Sequence, residues 1–376
     1  MKLAYIANIR LPTEKAHGAQ IMNMCAAFAA AGHEVTLVVP RRRNALIADP
    51  FDFYGVPRNF AVKKLWCLDF LALPFLKRIG FMLESMCFLG ALQLYALFRK
   101  TDVYYTRDLS IAAGLLTRRP VFYEIHSLPE RDTWLHRRAC WRASGIIVIS
   151  EGLRKELIVR GATAQKVLLA RDAVDIARFD VTLDRFQCRK KLGLPLDRKI
   201  IVYTGHLYGW KGADVFARAA AELPPDTLVY IVGGTDDDVR LFKQQFASAN
   251  LHIVGWKNSR EIPLWLKAAD VLVLPTSGKE TIGARYTSPM KLFEYMASGT
   301  PIVASNLPSI REVLDESRAI LVAPDEPRAL AEGIRRVSRD ADMATVRASA
   351  ARQYVSEYTW ENRARQITDF INAAIK

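Results

Sequence analysis

Lys291 and Glu294 stand three residues apart in SPMKLFEYMASGTPIVAS, residues 288–305. Ser288 suits an N-cap and Pro289 the first helical position, so the spacing predicts a helix that starts here and carries both charges on one face. Gly299 suits the left-handed residue that ends a helix, and PIVAS then reads as a buried strand. A helix start offers free N–H groups and the positive end of the dipole, which together favour a phosphate. The plainer alternative is a surface Lys–Glu pair on an otherwise packed helix.

Other loops hold residues of the same chemical kind. In TGHLYGWKGADVF, Gly205 ends a strand and Lys211-Gly212 open the next helix, where a lysine beside free N–H groups could bind a pyrophosphate. A glycine-rich turn with a solvated lysine would look the same. Neither G-x-G-x-x-G nor G-x-x-x-x-G-K-[ST] occurs in this segment, so neither a dinucleotide fingerprint nor a P-loop is present. Asp236, Asp237 and Asp238 precede VRLFKQQ and fit a helix cap and first turn better than a metal site. His33 lies at a turn into a strand. His126 ends the strand VFYEIH, at the edge where parallel sheets bind ligands, and either touches a ligand or packs its loop.

Short apolar runs alternate with helical patterns, which makes the fold α/β. Strands are expected at KLAYIA, HEVTLVVP, DVYYTR, VFYEIH, GIIVIS and KVLLA in the first half, with helices such as 18–31 and 151–160 between them. In the second half they are expected at IIVYTG, TLVYIVGG, LHIVGW, VLVLPT, PIVAS and AILVAP. The polar stretch 180–198 is the candidate junction. Two doubly wound domains facing across a cleft follow, with ligands beyond the carboxyl ends of the strands. Residues 81–98 are almost continuously apolar; Glu84 and Gln93 argue for a buried or partly membrane-facing helix over a spanning one.

Composition agrees with a folded, two-domain chain: 376 residues, 51% hydrophobic and 24% charged. Five cysteines without a C-x-x-C indicate neither a disulfide framework nor a zinc site and suit a reducing cytosol. No signal-peptide pattern opens the chain. The formal charge is +14, and residues 1–180 hold 26 basic and 16 acidic residues. That field suits an anionic membrane or phosphate-bearing substrates; no nucleic-acid-binding motif accompanies it.

These pieces, together with HGAQIMNMCAAFAAAGHEVTLVVP, ASGIIVISEGLRKEL, DAVDIARF and ADVLVLPTS, resemble glycosyltransferase family 4 over nearly the whole chain. The resemblance implies the GT-B fold, a retaining mechanism and a nucleotide-sugar donor. It implies that Glu294 holds the ribose hydroxyls, Lys211 the pyrophosphate and His126 the transferred sugar, with Gly18 near the phosphates. The remaining expected donor contacts are Gly205, His206, Gly212, Tyr286, Thr287, Ser288, Pro289 and Lys291. Two positions depart from the family pattern. Tyr286 stands where a second glutamate is usual, with Glu280 the nearest acid upstream, and His206 stands where an arginine usually follows the glycine; Lys291 could replace that cation.

The expected partition is an acceptor domain over 1–180, a nucleotide-sugar domain over 181–358, and a C-terminal helix over 359–376 that returns to the first domain. The expected activity is hexosyl transfer to a glycan or lipid-linked acceptor at the inner face of the plasma membrane. No cofactor or metal is expected, and a UDP-sugar is favoured over a GDP-sugar. The rivals are a nucleotide-sugar epimerase of the same plan and a catalytically silent sugar-nucleotide-binding protein.

Overall fold

The computed structural model describes residues 1–69 and 77–375. Residues 70–76, and the side chains of Lys77 and Arg78 just ahead of the apolar run 81–98, lie outside the described residues. The chain forms two compact units. The first comprises Met1–Ile149, Leu153–Arg171 and Trp360–Lys376, and the second Ser150–Gly152 with Asp172–Thr359. The passage from the first to the second therefore falls between residues 171 and 172. The polar stretch 180–198, taken from sequence as the junction, lies inside the second unit and contains the helix Arg185–Leu192, closed by a capping box at Asp184 and by Gly193.

The first unit is built on strands β1 (Lys2–Ile6), β2 (Glu34–Pro40), β3 (Ala61–Leu65), β4 (Val103–Thr106), β5 (Val121–Ile125), β6 (Gly145–Val148) and β7 (Val167–Leu169). They form one sheet in the order β3-β2-β1-β4-β5-β6-β7, and every pairing is parallel. Strand β3 was not foreseen: its sequence AVKKL carries two lysines at the sheet edge, where side chains stay solvated. The other strands are apolar because helices cover both faces of a parallel sheet. The C-terminal helix Trp360–Ile375 packs on this unit, with Phe370 edge-on to Phe122 of β5.

The second unit holds β8 (Lys199–Thr204), β9 (Thr227–Val232), β10 (Leu251–Gly255), β11 (Val271–Leu274), β12 (Ile302–Ser305) and β13 (Ile320–Val322), all parallel, in the order β10-β9-β8-β11-β12-β13. Chain order reverses between β1 and β4 in the first sheet and between β8 and β11 in the second. Such switch points open a crevice at the carboxyl ends of the strands, where the functional loops are found.

The apolar segment is the helix Lys77–Phe98 of the first unit. Among the described residues it is the one helix long and apolar enough to cross a bilayer. Phe88 and Leu92 pack inward, and the fully buried Glu84 pairs with Arg42, which also donates to Asn8 at 2.5 Å. The outward face is apolar as well: Ile79, Met82, Met86, Leu94, Leu97 and Phe98 are all more than half exposed.

Candidate functional site

The second unit gathers most of the expected donor residues beyond the end of β8. The strand closes on Gly205, whose φ of 133° is open to glycine. A Cβ built there would lie 2.8 Å from the Lys291 Nζ, so the missing side chain makes room for that ammonium. The same Nζ sits 3.8 Å from the centroid of the Tyr203 ring, a cation–π contact, and the Tyr203 hydroxyl donates to the His206 carbonyl at 2.8 Å. The His206 ring stacks on Tyr208, with centroids 5.1 Å apart. Lys211 ends a 3-10 turn, Gly209–Lys211, with its Nζ 5.0 Å from the Trp210 ring centroid. Gly212 follows with φ 71°, and a Cβ there would stand 1.7 Å from the Pro275 carbonyl oxygen. No other residue fits that position without moving β11's following loop.

The helix of the opening stretch runs Met290–Ser298 and ends on left-handed Gly299, as its spacing predicts. Its start differs from expectation. Pro289 occupies the N-cap position, and Ser288 is turned into the unit, its buried Oγ accepting from the Asp172 N–H at 3.0 Å. Asp172 is reached because its segment joins the second unit directly, a contact with no local sequence signal. No side chain caps the helix; the Leu292 N–H donates to the Pro289 carbonyl at 2.8 Å, and the Met290 and Lys291 N–H groups ahead of it are left for an anion. Thr287 is buried, its N–H donating to the Ile282 carbonyl at the end of a π-helical turn, Ile282–Tyr286. The Tyr286 carbonyl accepts from Ser150 Oγ at 3.1 Å, its side chain is half-buried, and Glu280 is exposed.

Charge at this helix start is unbalanced. Lys211, Lys291 and Glu294 are all half-buried, and Arg178 adds a third cation that acts on Glu294 while donating to the Ser259 carbonyl. Burial, and then the like charge of Lys211, hold the Lys291 ammonium well below the ordinary amine range. Burial lowers Lys211 to about 8, against the pull of Glu294. Burial raises Glu294 although Arg178, Lys291 and Lys211 oppose it. Three cations round one carboxylate, beside open N–H groups, form an arrangement that a diphosphate would neutralise. Arg178 was not among the expected site residues; it lies on the four-residue helix Ile176–Phe179, and nothing in DAVDIARF announces its direction.

His126 and Gly18 belong to the first unit. Gly18 lies in the first turn of the helix Ala16–Ala30, where a Cβ would meet the Tyr54 hydroxyl at 2.1 Å; that hydroxyl is bonded to both the N–H and the carbonyl of Thr13. His126 follows β5, and its Nε2 is 2.5 Å from Oε1 of Glu124. Glu124 is fully buried. Its Oε1 also accepts from Gln20 at 2.8 Å and Arg363 at 2.9 Å, its Oε2 accepts from Tyr105, and Gln20 in turn accepts from Arg107 at 2.7 Å. Burial pushes the Glu124 carboxyl up, but Arg363, His126 and Arg107 outweigh it and hold it well below the usual range. Burial and then Arg107 lower His126 to about 4, although Glu124 pulls the other way. The signal for Glu124 was present: an acid inside an apolar strand, two residues before His126 and therefore on its face.

Asp236, Asp237 and Asp238 form the first turn of the helix Asp236–Gln245, capped by Thr235 with a reciprocal Asp238 bond. Among the described residues no group of three or more His, Cys, Asp or Glu side chains could hold a metal ion.

Two family profiles match the chain, one described as Glycosyltransferase Family 4 over residues 18–178 and one as Glycosyl transferases group 1 over residues 198–340. A D-inositol 3-phosphate glycosyltransferase from Xylanimonas cellulosilytica is 28% identical over 252 residues, covering 62% of this chain and 58% of that protein. The chain thus spans little more than half the length of that relative. Two solved structures share the fold throughout. Anabaena HepE, crystallised with UDP, has a TM-score of 0.77 at 18% identity and covers 99% of this chain and 100% of its own. Sucrose-phosphate synthase from Thermosynechococcus elongatus has 0.79 at 20%, covering 100% of this chain and 99% of its own. The chain belongs to the glycosyltransferase family 4 group of proteins, with the two Rossmann-like domains of the GT-B fold.

Proposed function

We propose that the protein is a retaining hexosyltransferase that moves a sugar from a nucleoside diphosphate sugar to an acceptor hydroxyl without a metal ion. The observation that carries this reading is the convergence of Lys211, Lys291 and Arg178 round Glu294 at an uncapped helix start beyond β8. In it, Glu294 accepts from the ribose hydroxyls, and the two lysines and the open N–H groups bear the diphosphate. Charge building on that leaving group meets donors already in place, so catalysis is positioning and electrostatics. HepE's binding of UDP and of UDP-glucose supports a uridine donor over a guanosine one. A thermal-shift panel of UDP-, GDP- and ADP-sugars in excess EDTA tests the reading. A ligand at about 100 times its dissociation constant adds roughly 2.7 kcal/mol, so one base should stand out; a flat panel would sink the proposal.

Donor affinity should also fall as pH rises through about 8. In the free site Lys211 is lowered to about 8 and Lys291 lies well below the amine range. A bound diphosphate favours both ammonium forms and raises both values, so binding above pH 8 takes up protons. Calorimetry of UDP binding at pH 8.5 in buffers of different ionisation enthalpy should show that uptake. Proton release, or affinity that climbs with pH, would remove the lysines from the phosphate site.

The acceptor side of the proposal places the enzyme on an anionic inner membrane face, in glycolipid or cell-surface polysaccharide assembly. Support comes from the apolar outward face of the helix Lys77–Phe98, from exposed Trp66 and Leu68 beside it, and from exposed Arg41, Arg43, Arg99 and Lys100 in the same unit. Basic residues near such a surface contribute about 1 kcal/mol each, and apolar side chains add interfacial burial. Vesicle flotation should rise with anionic lipid, fall with salt, and drop at least tenfold in Met86→Glu. No co-flotation at low salt would end the membrane claim, and binding that resists salt and carbonate would mean insertion.

A further inference from the structure

The crossovers from β3 to β4, β4 to β5 and β5 to β6 all step the same way across the first sheet, and right-handed crossovers put their helices on one face. The helices Lys77–Phe98, Leu109–Gly114 and Trp134–Arg142 are therefore neighbours. Gln93 ties the first to the second by donating to the Gly114 carbonyl at 2.9 Å and accepting from the Leu116 N–H at 3.1 Å. Arg138 and Arg142 tie the third to the same turn, donating to the Ala113 and Leu115 carbonyls at 3.0 and 2.8 Å. Phe88 and Leu92 lie in one core with Tyr104 of β4, on this face. Tyr105 points the other way and pairs with Phe122, and these two rings meet Phe28 and Phe370 of the helices Ala16–Ala30 and Trp360–Ile375. Among the described residues those two helices expose a single large apolar side chain, Ile375. The exposed apolar surface of the helical layers is thus almost all on one side.

The helix Trp134–Arg142 adds what the helix Lys77–Phe98 lacks. Thr133 caps it, its Oγ1 accepting from the His136 N–H at 3.2 Å, and the helix buries His136 and Ala139. At about 100° per residue, Trp134 and Trp141 then fall on the outward stripe about 10 Å apart, flanked by Arg137 and Arg138. The two tryptophans are 69% and 77% exposed, and Leu116, in the turn that both long helices grip, is 65% exposed. One exposed apolar residue is ordinary; two indole rings on one stripe of a helix that carries no acid make a patch. Between residues 116 and 142 six arginines stand against three acids, of which Glu124 is buried and Asp132 pairs with His136 and Arg137.

We infer that the helix Trp134–Arg142 and the turn 116–119 are a second membrane-contacting element, which seats Trp134 and Trp141 in an anionic lipid headgroup layer. Indole rings settle at that level, apolar body towards the chains and N–H towards water, while arginines pair with lipid phosphates. The inference deepens the membrane side of the proposed function and rests on it for the kind of surface. Tryptophan and arginine also mark protein interfaces, but here they adjoin the aliphatic outer face of the helix Lys77–Phe98, which suits acyl chains. The two elements divide the contact: the long helix supplies apolar burial, and the short one sets depth and selects charge.

The test uses the full chain and vesicles of phosphatidylcholine with about a third phosphatidylglycerol. Trp134→Ser with Trp141→Ser should lower vesicle partitioning at least tenfold. Arg118→Gln with Arg119→Gln should lower it about threefold to tenfold and flatten its salt dependence. Both variants should keep the thermal midpoint and UDP binding of the wild type. Depth is read with lipids brominated either near the headgroup or near the chain end, which quench nearby indoles. The quenching lost in Trp134→Phe with Trp141→Phe isolates these two rings from the rest of the seven, and it should come from the shallow bromines. Because phenylalanine keeps ring bulk on the helix, this measurement decides even if the serine variant does not fold. Partitioning of a folded serine variant within about twofold of wild type, or no quenching lost with phenylalanine, would overturn the inference; flotation that still falls in Met86→Glu would then leave the membrane reading standing. No flotation of the wild type at low salt would end both. Retention on poly-glutamate without flotation, lost in the serine variant, would assign the patch to a soluble acidic partner and overturn the lipid assignment.

Discussion

Glu294→Ala should weaken donor binding by about 1.5–3 kcal/mol, roughly tenfold to a hundredfold, in a protein that still folds. The side chain is half-buried on the helix Met290–Ser298, and its removal leaves no packing void comparable to a core substitution. Two effects add. The charge-assisted bonds proposed for the ribose disappear, and Lys211 and Lys291 lose the anion that favours their charged forms, while Arg178 keeps Asp175. The amines then titrate lower still, so the pH above which binding fails should move down along with the affinity. Titration calorimetry with UDP and with uridine separates the effects: both ligands should lose affinity, UDP the more. Unchanged binding of both would return Lys291 and Glu294 to an ordinary surface pair.

The second large effect concerns stability. Arg363→Met should destabilise the first unit by about 3–5 kcal/mol, the range found when one partner of a buried pair is removed. Arg363 and Glu124 are almost fully buried, and without the guanidinium the carboxylate has only neutral partners and His126 within bonding distance. Glu124 must then take up a proton or remain as an uncompensated charge. The sign of the pH response follows. In the wild type its pKa is depressed, so its contribution is present above the ordinary carboxylate pKa and is lost as pH falls through the depressed value. In the variant that stabilisation is gone, and acidification should no longer weaken the first unit through this group. Urea unfolding followed at pH 7 and pH 4 reports both; a loss under about 1 kcal/mol at pH 7 would mean that the pair is replaceable.

What sequence revealed here tracks how local each determinant is. Parallel strands buried on both faces are apolar runs between helical patterns, and twelve of the thirteen were visible; the exception, β3, is half solvated and carries the lysines of an edge. Gly205, Gly212 and Gly299 were legible because a glycine at a strand end or helix end answers a backbone demand set by its neighbours. Lys211, Lys291 and Glu294 could be singled out because a helix start has a polarity of its own. Arg178 and Arg363 could not: each acts through a fold that brings distant chain together, and an arginine in a polar helix carries no mark of where its guanidinium ends. Ser288 illustrates the opposite failure. The local pattern S-P before a helix is a sound cap signal, yet Asp172 competes for the hydroxyl and wins through tertiary contact.

The first unit is assembled from segments that are far apart in the order of synthesis. Glu124 is made 239 residues before the arginine that neutralises it, and the whole second unit is translated in the interval. A nascent chain therefore holds β1 to β7 with Glu124 lacking its guanidinium partner until the helix Trp360–Ile375 leaves the ribosome. Completion of the first unit therefore waits on a long-range docking event that local helix and strand formation cannot replace. Ribosome-stalled chains ending before Trp360 should stay open to protease within the first sheet, and chains long enough to expose the helix Trp360–Ile375 outside the ribosome should be protected.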